Sequence, residues 1–245
     1  MASDEPIRRA WFATTDPFWP RSCRICATRL HDPSDVCLCR PCVSVLTTDP
    51  HVTCPRCSST VGPHTDLSSG CPRCRNERYR FQSVTRLGVN GGELRAAILD
   101  IKRPGGEELA EDLGTLFAAT RGGLVLGSQP QVVVPVPLHW TRWWTRRHNP
   151  AEGIARGLAN RLGLPLNTRA IRRVRSTPRQ ATATPTERRK NLIGAFRPTR
   201  LPGLLGLRVL LVDDVLTTGA TADATTEAVY AAGAAQVDVA VLAHR

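Results

Sequence analysis

Residues 209–221 read Val-Leu-Leu-Val-Asp-Asp-Val-Leu-Thr-Thr-Gly-Ala-Thr. The uninterrupted apolar run at 209–212 is typical of a strand that is buried on both faces of a parallel sheet. Two carboxylates, Asp213 and Asp214, end this run, and small hydroxyl residues with one glycine lead into a helix predicted from Thr221. Ligand crevices of parallel α/β sheets open at the carboxyl ends of the strands. The segment therefore predicts both a fold and the place of a binding site.

The chemistry of this segment fits a ribose 5-phosphate. Asp213 and Asp214 can accept hydrogen bonds from vicinal ribose hydroxyls. The start of the helix offers backbone N–H groups and a favourable macrodipole to a phosphate, which glycine lets the backbone approach closely. The predicted phosphate-binding residues are Val215, Thr217, Thr218, Gly219, Ala220 and Thr221. The alternative is a plain strand–turn–helix with an acidic N-cap, which accounts for Asp214 but not for the second acid and the Thr-Thr-Gly-Ala-Thr run.

Strands and helices alternate along the sequence on the N-terminal and C-terminal sides of this segment. Apolar and strand-like patterns predict strands at 79–89, 131–136, 208–213 and 236–242. Helical periodicity predicts helices at 93–101, 107–120, 151–162 and 221–232. The residues expected on the inward face of the first of these helices are Leu94, Ala97, Ile98 and Ile101. This alternation predicts an α/β fold with a doubly wound, mostly parallel sheet.

All nine cysteines lie between residues 23 and 74, and eight of them form four C-x-x-C pairs. Two such turns can complete a tetrahedral four-cysteine zinc site. We therefore predict a double zinc ribbon with two structural Zn²⁺ ions, which supply folding energy to a segment poor in large apolar residues. Free or redox-active thiols are the alternative, and a closed four-thiolate site predicts no catalysis here. The predicted ligands are Cys23, Cys26, Cys39, Cys42, Cys54, Cys57, Cys71 and Cys74.

The sequence leaves open the order in which the four cysteine pairs combine. Sequential pairing is the simpler topology, but an interleaved order is compatible with the same spacing. Cys37 could replace Cys39 as a ligand, although C-x-x-C geometry favours Cys39, and a buried free thiol is the role expected for Cys37. His31, His51 and His64 are possible substitute ligands, with solvated loop positions as the alternative.

The chain has 245 residues, a formal charge of +12 and 41% apolar residues. This apolar content argues against disorder throughout the chain, and no apolar run reaches the ~18 residues of a membrane span. Residues 1–20 carry Asp4 and Glu5 and lack the pattern of a secretory signal, so we expect a cytoplasmic protein. The predicted division is an N-terminal segment at 1–20, the double zinc ribbon at 21–76 and the α/β domain at 77–245.

Positive charge is concentrated between residues 139 and 200, where 14 arginines and one lysine face two glutamates, a net +13. Such a segment favours anionic partners. Three of its arginines interleave with Trp140, Trp143 and Trp144, whose rings could stack on the bases of single-stranded nucleic acid. Tryptophans at this spacing are also typical of a helix packed on a core. The predicted nucleic-acid contacts are Arg142, Trp143, Trp144, Arg147, Arg188 and Arg189.

Residues 209–221 closely resemble the phosphoribosyl-pyrophosphate (PRPP) motif of type I phosphoribosyltransferases. With the cysteine pairs ahead of this motif, the chain from about Phe18 onward resembles the ComF family, phosphoribosyltransferase-like proteins linked to DNA uptake in natural transformation. The resemblance implies that residues 77–245 form a phosphoribosyltransferase-like domain. It implies PRPP or a related ribose phosphate as ligand, with Mg²⁺ shared between its pyrophosphate and ribose oxygens.

Three other segments carry the resemblance. Pro135–His139 is similar to the family's P-V-P-L-H in the position of the pyrophosphate loop, which adds Pro137, Leu138 and His139 to the predicted phosphate-binding residues. Ala97–Lys102 resembles a family helix that ends in A-L-K. The Arg-, Thr- and Pro-rich segment 172–190 fits a lid over a phosphate site or a disordered basic tether. The residues that resemble the family's flexible loop are Thr177, Gln180, Arg188, Arg189, Asn191 and 194–196.

One stretch departs from the family pattern. Where the family usually has R-G-F-N-Q, residues 146–150 read Arg-Arg-His-Asn-Pro. Arg146 and Asn149 are kept, whereas Arg147, His148 and Pro150 replace glycine, phenylalanine and glutamine. We expect the loss of the glycine to stiffen or reshape this wall of the site, although the two new basic residues still favour anions.

The family resemblance favours a binding protein that holds PRPP with Mg²⁺ and carries single-stranded DNA during uptake. The alternative is an active phosphoribosyltransferase in nucleotide metabolism, which transfers phosphoribose from PRPP to a nitrogen base. In that case the catalytic residues are Asp213 and Asp214, which position the ribose, and Arg146, which stabilises the leaving pyrophosphate. A zinc-stabilised scaffold that contacts a DNA-uptake helicase or a recombination partner is a third interpretation.

Overall fold

The computed structural model of the chain describes residues 21–30, 36–138, 147–175 and 190–245. No helix in these ranges is both long and apolar enough to cross a membrane. In chain order the elements are α1 (Arg40–Thr47), β1 (Val52–Thr53), β2 (Thr60–Val61), β3 (Val84–Val89), α2 (Gly92–Asp100), α3 (Glu107–Leu126), β4 (Val132–Pro135), α4 (Pro150–Leu162), β5 (Ile171–Arg173), β6 (Phe196–Pro198), β7 (Arg208–Leu216), α5 (Ala220–Ala231) and β8 (Gln236–His244).

Four parallel strands form the central sheet in the order β3-β8-β7-β4. Val212 of β7 is in register with Pro135 of β4 and with Ala240 of β8, so the carboxyl ends of these three strands meet at one edge. The predicted α/β fold class with a parallel sheet is confirmed. Strand β3 begins at Val84 rather than Tyr79, because the tyrosine contacts the loop before α5 instead of a neighbouring strand.

Apolar side chains fill two core clusters on opposite faces of the sheet. Along β7, Val209 and Leu211 belong to one cluster, whereas Leu210 and Val212 belong to the other, as the alternation of side chains along a strand requires. Helix α5 covers the first face, and helices α2, α3 and α4 cover the second. The inward-facing residues predicted for α2 are all buried: Leu94, Ala97, Ile98 and Ile101.

Glycines allow helices α3 and α4 to approach each other closely. A Cβ atom on Gly157 of α4 would overlap the carbonyl oxygen of Glu111 on α3, and one on Gly114 of α3 would overlap the carbonyl oxygen of Ile154 on α4. At both places the two backbones are therefore too close to each other to admit a methyl group between them. This packed pair covers the face of the sheet to which Leu210 and Val212 of β7 belong.

The cysteine module, which we define as the described residues between 21 and 76, packs against β3 and α3. Arg24 of the module lies 2.8 Å from the Asp112 carboxylate of α3. Asp49 of the module accepts hydrogen bonds at 2.7 and 3.0 Å from Arg86 of β3, whose side chain is only 3% exposed. Leu38 and other apolar residues of the module join the core cluster that contains α3, so the module and the sheet share one interior.

A short antiparallel pair, β5 with β6, stands apart from the central sheet. Ile171 of β5 and Phe196 of β6 are buried in the cluster beneath α5. These strands were not predicted, since each has three residues and shows too little alternation to be distinguished from a loop. The segment 176–189 between them lies outside the described residues.

Candidate functional site

The carboxylate pair lies at the carboxyl end of β7, which continues to Leu216 rather than ending at Asp213 as predicted. Both carboxyl side chains are half-buried. The backbone N–H of Asp214 donates to Asp213 Oδ1 at 2.9 Å, and that of Val215 donates to Asp214 Oδ1 at 2.7 Å. These two bonds fix the carboxylates at the sheet edge where a ligand crevice opens.

Lys102 balances one of the two carboxylates. Its Nζ lies 2.6 Å from Asp214 Oδ2, and the two side chains are 17% and 21% exposed. Burial and the neighbouring Asp214 carboxylate raise the pKa of Asp213 to about 7. Asp213 is therefore only partly ionised at neutral pH. Lys102 was not among the predicted site residues, although it ends the segment that resembles the family's A-L-K helix.

The loop 217–219 connects β7 to α5. Gly219 adopts a left-handed backbone with φ of 74°, and its carbonyl accepts a hydrogen bond at 2.8 Å from the backbone N–H of Asp223 in the first turn of α5. Thr218 Oγ1 accepts from the backbone N–H of Ala220 at 3.4 Å. A helix N-terminus that follows a glycine turn in this way is suited to bind a phosphate.

The predicted pyrophosphate loop begins at the same edge. Pro137 and Leu138 follow β4, the neighbour of β7, and both are half-buried. The carbonyl oxygen of Val136 accepts a hydrogen bond from Asn149 Nδ2 at 3.0 Å, which ties this loop to the residue before α4. The remaining residues predicted here, His139 and Arg146, lie outside the described part of the chain.

The eight paired cysteines form two groups in the structure, and the Sγ atoms within each group all lie within 4.8 Å of one another. Sulfur pairs between different C-x-x-C turns are 3.6–3.7 Å apart. Zn–S bonds of ~2.3 Å at tetrahedral angles place neighbouring sulfurs ~3.8 Å apart, so both groups fit Zn²⁺. The order that the sequence left open is sequential: Cys23, Cys26, Cys39 and Cys42 form one group, and Cys54, Cys57, Cys71 and Cys74 form the other.

One thiol of each group ionises readily. Hydrogen bonds with Thr28 lower the pKa of Cys26 to about 6. Burial acts to raise the pKa of Cys54, but hydrogen bonds from three backbone N–H groups outweigh it and lower that pKa to about 7. These two environments favour the thiolate, which is the form that binds a metal, whereas burial and the neighbouring thiols raise the pKa of Cys42 and of Cys74.

Cys37 lies outside both groups and is half-buried rather than fully buried. Its Sγ accepts a hydrogen bond from Arg21 Nη2 at 3.2 Å. Of the histidines that the sequence suggested as substitute ligands, His51 and His64 are exposed and belong to neither group, and His31 lies outside the described residues.

Comparison with known proteins agrees with this geometry. Residues 150–245 match the family model of a phosphoribosyl transferase domain. The DNA utilization protein YhgH of Salmonella typhi is 32% identical over 192 residues, which cover 76% of this chain and 81% of that protein. Competence protein F of Haemophilus influenzae is 33% identical over 111 residues, which cover 45% and 48% of the two chains. The chain belongs to the ComF family.

One solved structure similar to this ComF chain is that of the allosteric regulatory enzyme of purine biosynthesis. It aligns at 21% identity with a TM-score of 0.40, over 61% of this chain and 30% of that chain. The sequence relatives, the strand order and the sulfur positions confirm three predicted features of the chain: the ComF family, the parallel sheet and the two four-cysteine groups.

Residues 147, 148 and 150, which depart from the ComF pattern, fit the local structure without disrupting it. Arg147, at the family's glycine position, is exposed and has a left-handed backbone with φ of 61°, so an arginine keeps a conformation that favours glycine. His148 is buried, with Nε2 2.7 Å from the Ile101 carbonyl oxygen and Nδ1 3.2 Å from the Glu107 carboxylate. Pro150 is the first residue of α4, where its missing N–H is tolerated.

Most of the nucleic-acid contacts predicted for this ComF chain fall outside the described residues. Arg147 is described and exposed. Part of the basic segment is also described: Arg172 of β5 and Arg197 of β6 are both exposed and lie directly opposite each other in the strand pair. The predicted contacts that are not described are Arg142, Trp143, Trp144, Arg188 and Arg189.

A cleft of about 430 Å³, which the sequence did not predict, separates the cysteine module from the end of β8. Burial and the nearby Arg73 and Arg86 guanidinium groups lower the pKa of His244 to about 4, so this imidazole is neutral. Arg73 also reaches the candidate loop, since its Nη2 donates to the Thr217 carbonyl oxygen at 2.7 Å. The only sequence signal for Arg73 is the shared C-P-R-C spelling of the last two cysteine turns.

Proposed function

We propose that this ComF-family chain binds PRPP or a related ribose phosphate, together with Mg²⁺, at residues 213–221. The observation that carries the proposal is the meeting of a carboxylate pair, a left-handed glycine and a helix N-terminus at one sheet edge. The carboxylates suit ribose hydroxyls, and the start of α5 suits the 5-phosphate. Pro137 and Leu138 follow the adjacent strand, where the pyrophosphate would lie.

The donor set at this edge also suits Mg²⁺. Carboxylate and phosphate oxygens are the hard ligands that this ion prefers, and Asp213 and Asp214 supply carboxylates beside the proposed pyrophosphate position. The ion would neutralise part of the ligand's charge. Lys102 Nζ lies 2.6 Å from Asp214 Oδ2 and holds this carboxylate in place as an acceptor for a ribose hydroxyl.

A second candidate function is active phosphoribosyl transfer, and the titration of Asp213 favours it. A carboxyl group with a pKa of about 7 near the carboxyl end of a parallel strand is a candidate acid–base group. When a nitrogen base displaces pyrophosphate, positive charge develops at the ribose C1, and the carboxylate pair would stabilise that charge. Arg146 would stabilise the leaving pyrophosphate in this reaction.

We propose further that the chain acts in DNA uptake and binds single-stranded DNA along its basic segment. Relatives of the chain carry names that refer to DNA utilization and competence. The facing pair Arg172 and Arg197 supports an anionic partner, because like charges directly opposite each other destabilise a strand pair unless an anion lies between them. Three further points stay predictions. They are a helicase or recombination partner, a cytoplasmic location, and the division of the chain into residues 1–20, 21–76 and 77–245.

Calorimetry on one sample of the full chain, with PRPP and Mg²⁺ and separately with single-stranded DNA, tests both proposals. The double variant Asp213→Asn/Asp214→Asn should lose PRPP binding, because it replaces both carboxylates with neutral amides, which are weaker acceptors for the ribose hydroxyls and poor ligands for Mg²⁺. Its affinity for single-stranded DNA should stay within about twofold, since the basic segment is unchanged. The matched control, Glu93→Gln/Asp66→Asn, makes the same charge change at two exposed side chains and should bind both ligands as the wild type does.

Each proposal has its own contradicting result. Absence of heat with PRPP and Mg²⁺ for the wild-type chain would overturn the ribose-phosphate site. A DNA affinity that does not fall as salt rises would overturn binding through the basic segment. Release of pyrophosphate when purine or pyrimidine bases are added would show that the chain is an active phosphoribosyltransferase. The same double variant should abolish that release.

A further inference from the structure

Two side chains from outside the loop 217–219 hold its backbone carbonyls. Arg73, inside the last C-x-x-C turn of the cysteine module, donates from Nη2 to the Thr217 carbonyl oxygen at 2.7 Å. Tyr79 donates from its hydroxyl to the Thr218 carbonyl oxygen at 3.1 Å. In a planar trans peptide the carbonyl and the following N–H point in opposite directions. Fixing these two carbonyls therefore turns the N–H groups of Thr218 and Gly219 away from the module.

The Tyr79 ring also supports the left-handed glycine. A Cβ atom on Gly219 would lie 2.7 Å from Tyr79 Cε1, so the ring and the glycine backbone are in direct contact. The ring stacks on Phe81 with centroids 4.7 Å apart, and the Arg56 guanidinium lies 5.9 Å from the Tyr79 centroid. Arg56 in turn donates to the carbonyl oxygen of Cys74 at 3.0 Å. The support for the glycine thus leads back to the second cysteine group.

The position of Arg73 depends on a closed cysteine turn. The Cys71 carbonyl accepts hydrogen bonds from the backbone N–H groups of Cys74 and Arg75, both at 2.9 Å. Gly70, with φ of 91°, leaves room for Cys74 Sγ, which would lie 2.9 Å from a Cβ atom at that position. All four thiols of this group are buried, and Zn²⁺ bound to them would hold the turn closed.

We propose that Arg73 and Tyr79 are positioning residues of the loop 217–219, through which the second cysteine group sets the affinity of the loop for a ribose phosphate. This inference rests on the proposed function of residues 213–221. The first cysteine group contacts α3 through Arg24 instead. Ligand binding is then coupled to the metal state of the second group and is independent of the first.

Two measurements on the full, zinc-loaded chain test this inference. Hydrogen–deuterium exchange reports the order of amides 217–221 without ligand, and calorimetry with PRPP and Mg²⁺ reports affinity. Arg73→Ala should speed loop exchange and weaken PRPP binding, each about tenfold, because it removes a charge-assisted hydrogen bond to the loop. Tyr79→Phe, which keeps the ring under Gly219, should change both by about threefold. Arg73→Lys, which restores a charged donor, should recover part of each loss.

The controls separate positioning from general damage. Arg75→Ala removes an exposed guanidinium beside Cys74 and should leave exchange and affinity unchanged. Cys54→Ser/Cys57→Ser should speed loop exchange, whereas Cys23→Ser/Cys26→Ser should not. Unchanged loop exchange in Arg73→Ala would overturn the positioning inference, whatever PRPP does. If loop exchange rises as expected but the wild-type chain binds no PRPP, the proposed function fails and the link to affinity fails with it.

Discussion

Asp213 shows how the end of a strand changes the chemistry of one side chain. A carboxyl group in water loses its proton well below neutral pH, whereas burial and the adjacent Asp214 raise the pKa of Asp213 to about 7. Lys102 forms its ion pair with Asp214, so the ammonium acts mainly on that neighbour. Asp213 is consequently a residue that gains and loses a proton near neutral pH.

This titration makes the stability of the protein depend on pH. Between the pKa of unfolded Asp213, 3.8, and its folded pKa of about 7, the folded state binds more protons, so the free energy of unfolding falls as pH rises. Asp213→Asn keeps an acceptor for the Asp214 N–H. It should raise the free energy of unfolding at pH 8 by about 2 kcal/mol and leave it nearly unchanged at pH 4. Urea unfolding at several pH values measures the difference.

A control for this prediction is Glu93→Gln, which neutralises an exposed carboxylate in the first turn of α2. Its effect on the free energy of unfolding should be small and nearly the same from pH 5 to pH 8. An equal stabilisation by Asp213→Asn at pH 4 and pH 8 would contradict the raised pKa.

The residues of the site that could be predicted from the sequence are those that are contiguous in it. Asp213, Asp214 and Gly219 lie within one short segment whose pattern is local. Arg73 and Tyr79 reach the same loop from 144 and 139 positions away. Nothing in local periodicity distinguishes one arginine or tyrosine from another at such a separation, because only the folded topology brings them to the loop.

Among the elements, helices α3 and α4 are the pair whose close packing depends most on glycine residues. Gly157→Ala would place a Cβ atom against the Glu111 carbonyl oxygen, and the backbones must separate to admit it. We expect a loss of about 3 kcal/mol in the free energy of unfolding, measured by urea denaturation. Gly123→Ala, in the partner helix α3 but with nothing within 4 Å of the new Cβ, should instead stabilise by up to ~1 kcal/mol. Equal effects of the two changes would contradict close packing.

The accuracy of prediction for an element follows from how much of its pattern is local. Helix α2 and the strands β4 and β8 have strong periodicity or continuous apolar runs, and they were found close to their predicted places. Helix α3 continues past Thr120 to Leu126, because Val125 still reaches the core. Strand β7 extends to Leu216 through its pairing with His244 of β8, a tertiary interaction that the two consecutive acids at 213 and 214 conceal.

At the scale of the whole molecule, the cysteine module and the α/β sheet are joined by a shared core and by buried charge. The Arg86 side chain connects β3 to Asp49 and to the carbonyl oxygen of Ser58, and Arg24 connects the first cysteine group to α3. Loosening either cysteine group is therefore expected to lower the free energy of unfolding of the whole chain, whereas the order of the loop 217–219 in the folded state is expected to depend on the second group alone.

Metal analysis of the purified chain should find about two Zn²⁺ per molecule, one for each four-cysteine group. Cys54→Ser/Cys57→Ser should reduce this to about one and lower the temperature of thermal unfolding, because metal binding contributes folding energy. The corresponding change in the first group, Cys23→Ser/Cys26→Ser, should also remove one Zn²⁺. A wild-type metal content near zero would contradict zinc binding at both groups.

The strand order has a consequence for how the protein is made. Among the described strands, β3 pairs with β8, so that Val84 lies beside Val239. During translation β3 leaves the ribosome with an open hydrogen-bonding edge that stays open until residues 236–244 have emerged. Pairings between such distant segments form slowly and leave edges exposed to aggregation. A nascent chain stalled before residue 236 would already contain both aspartates of the site, but no completed sheet to hold them in place.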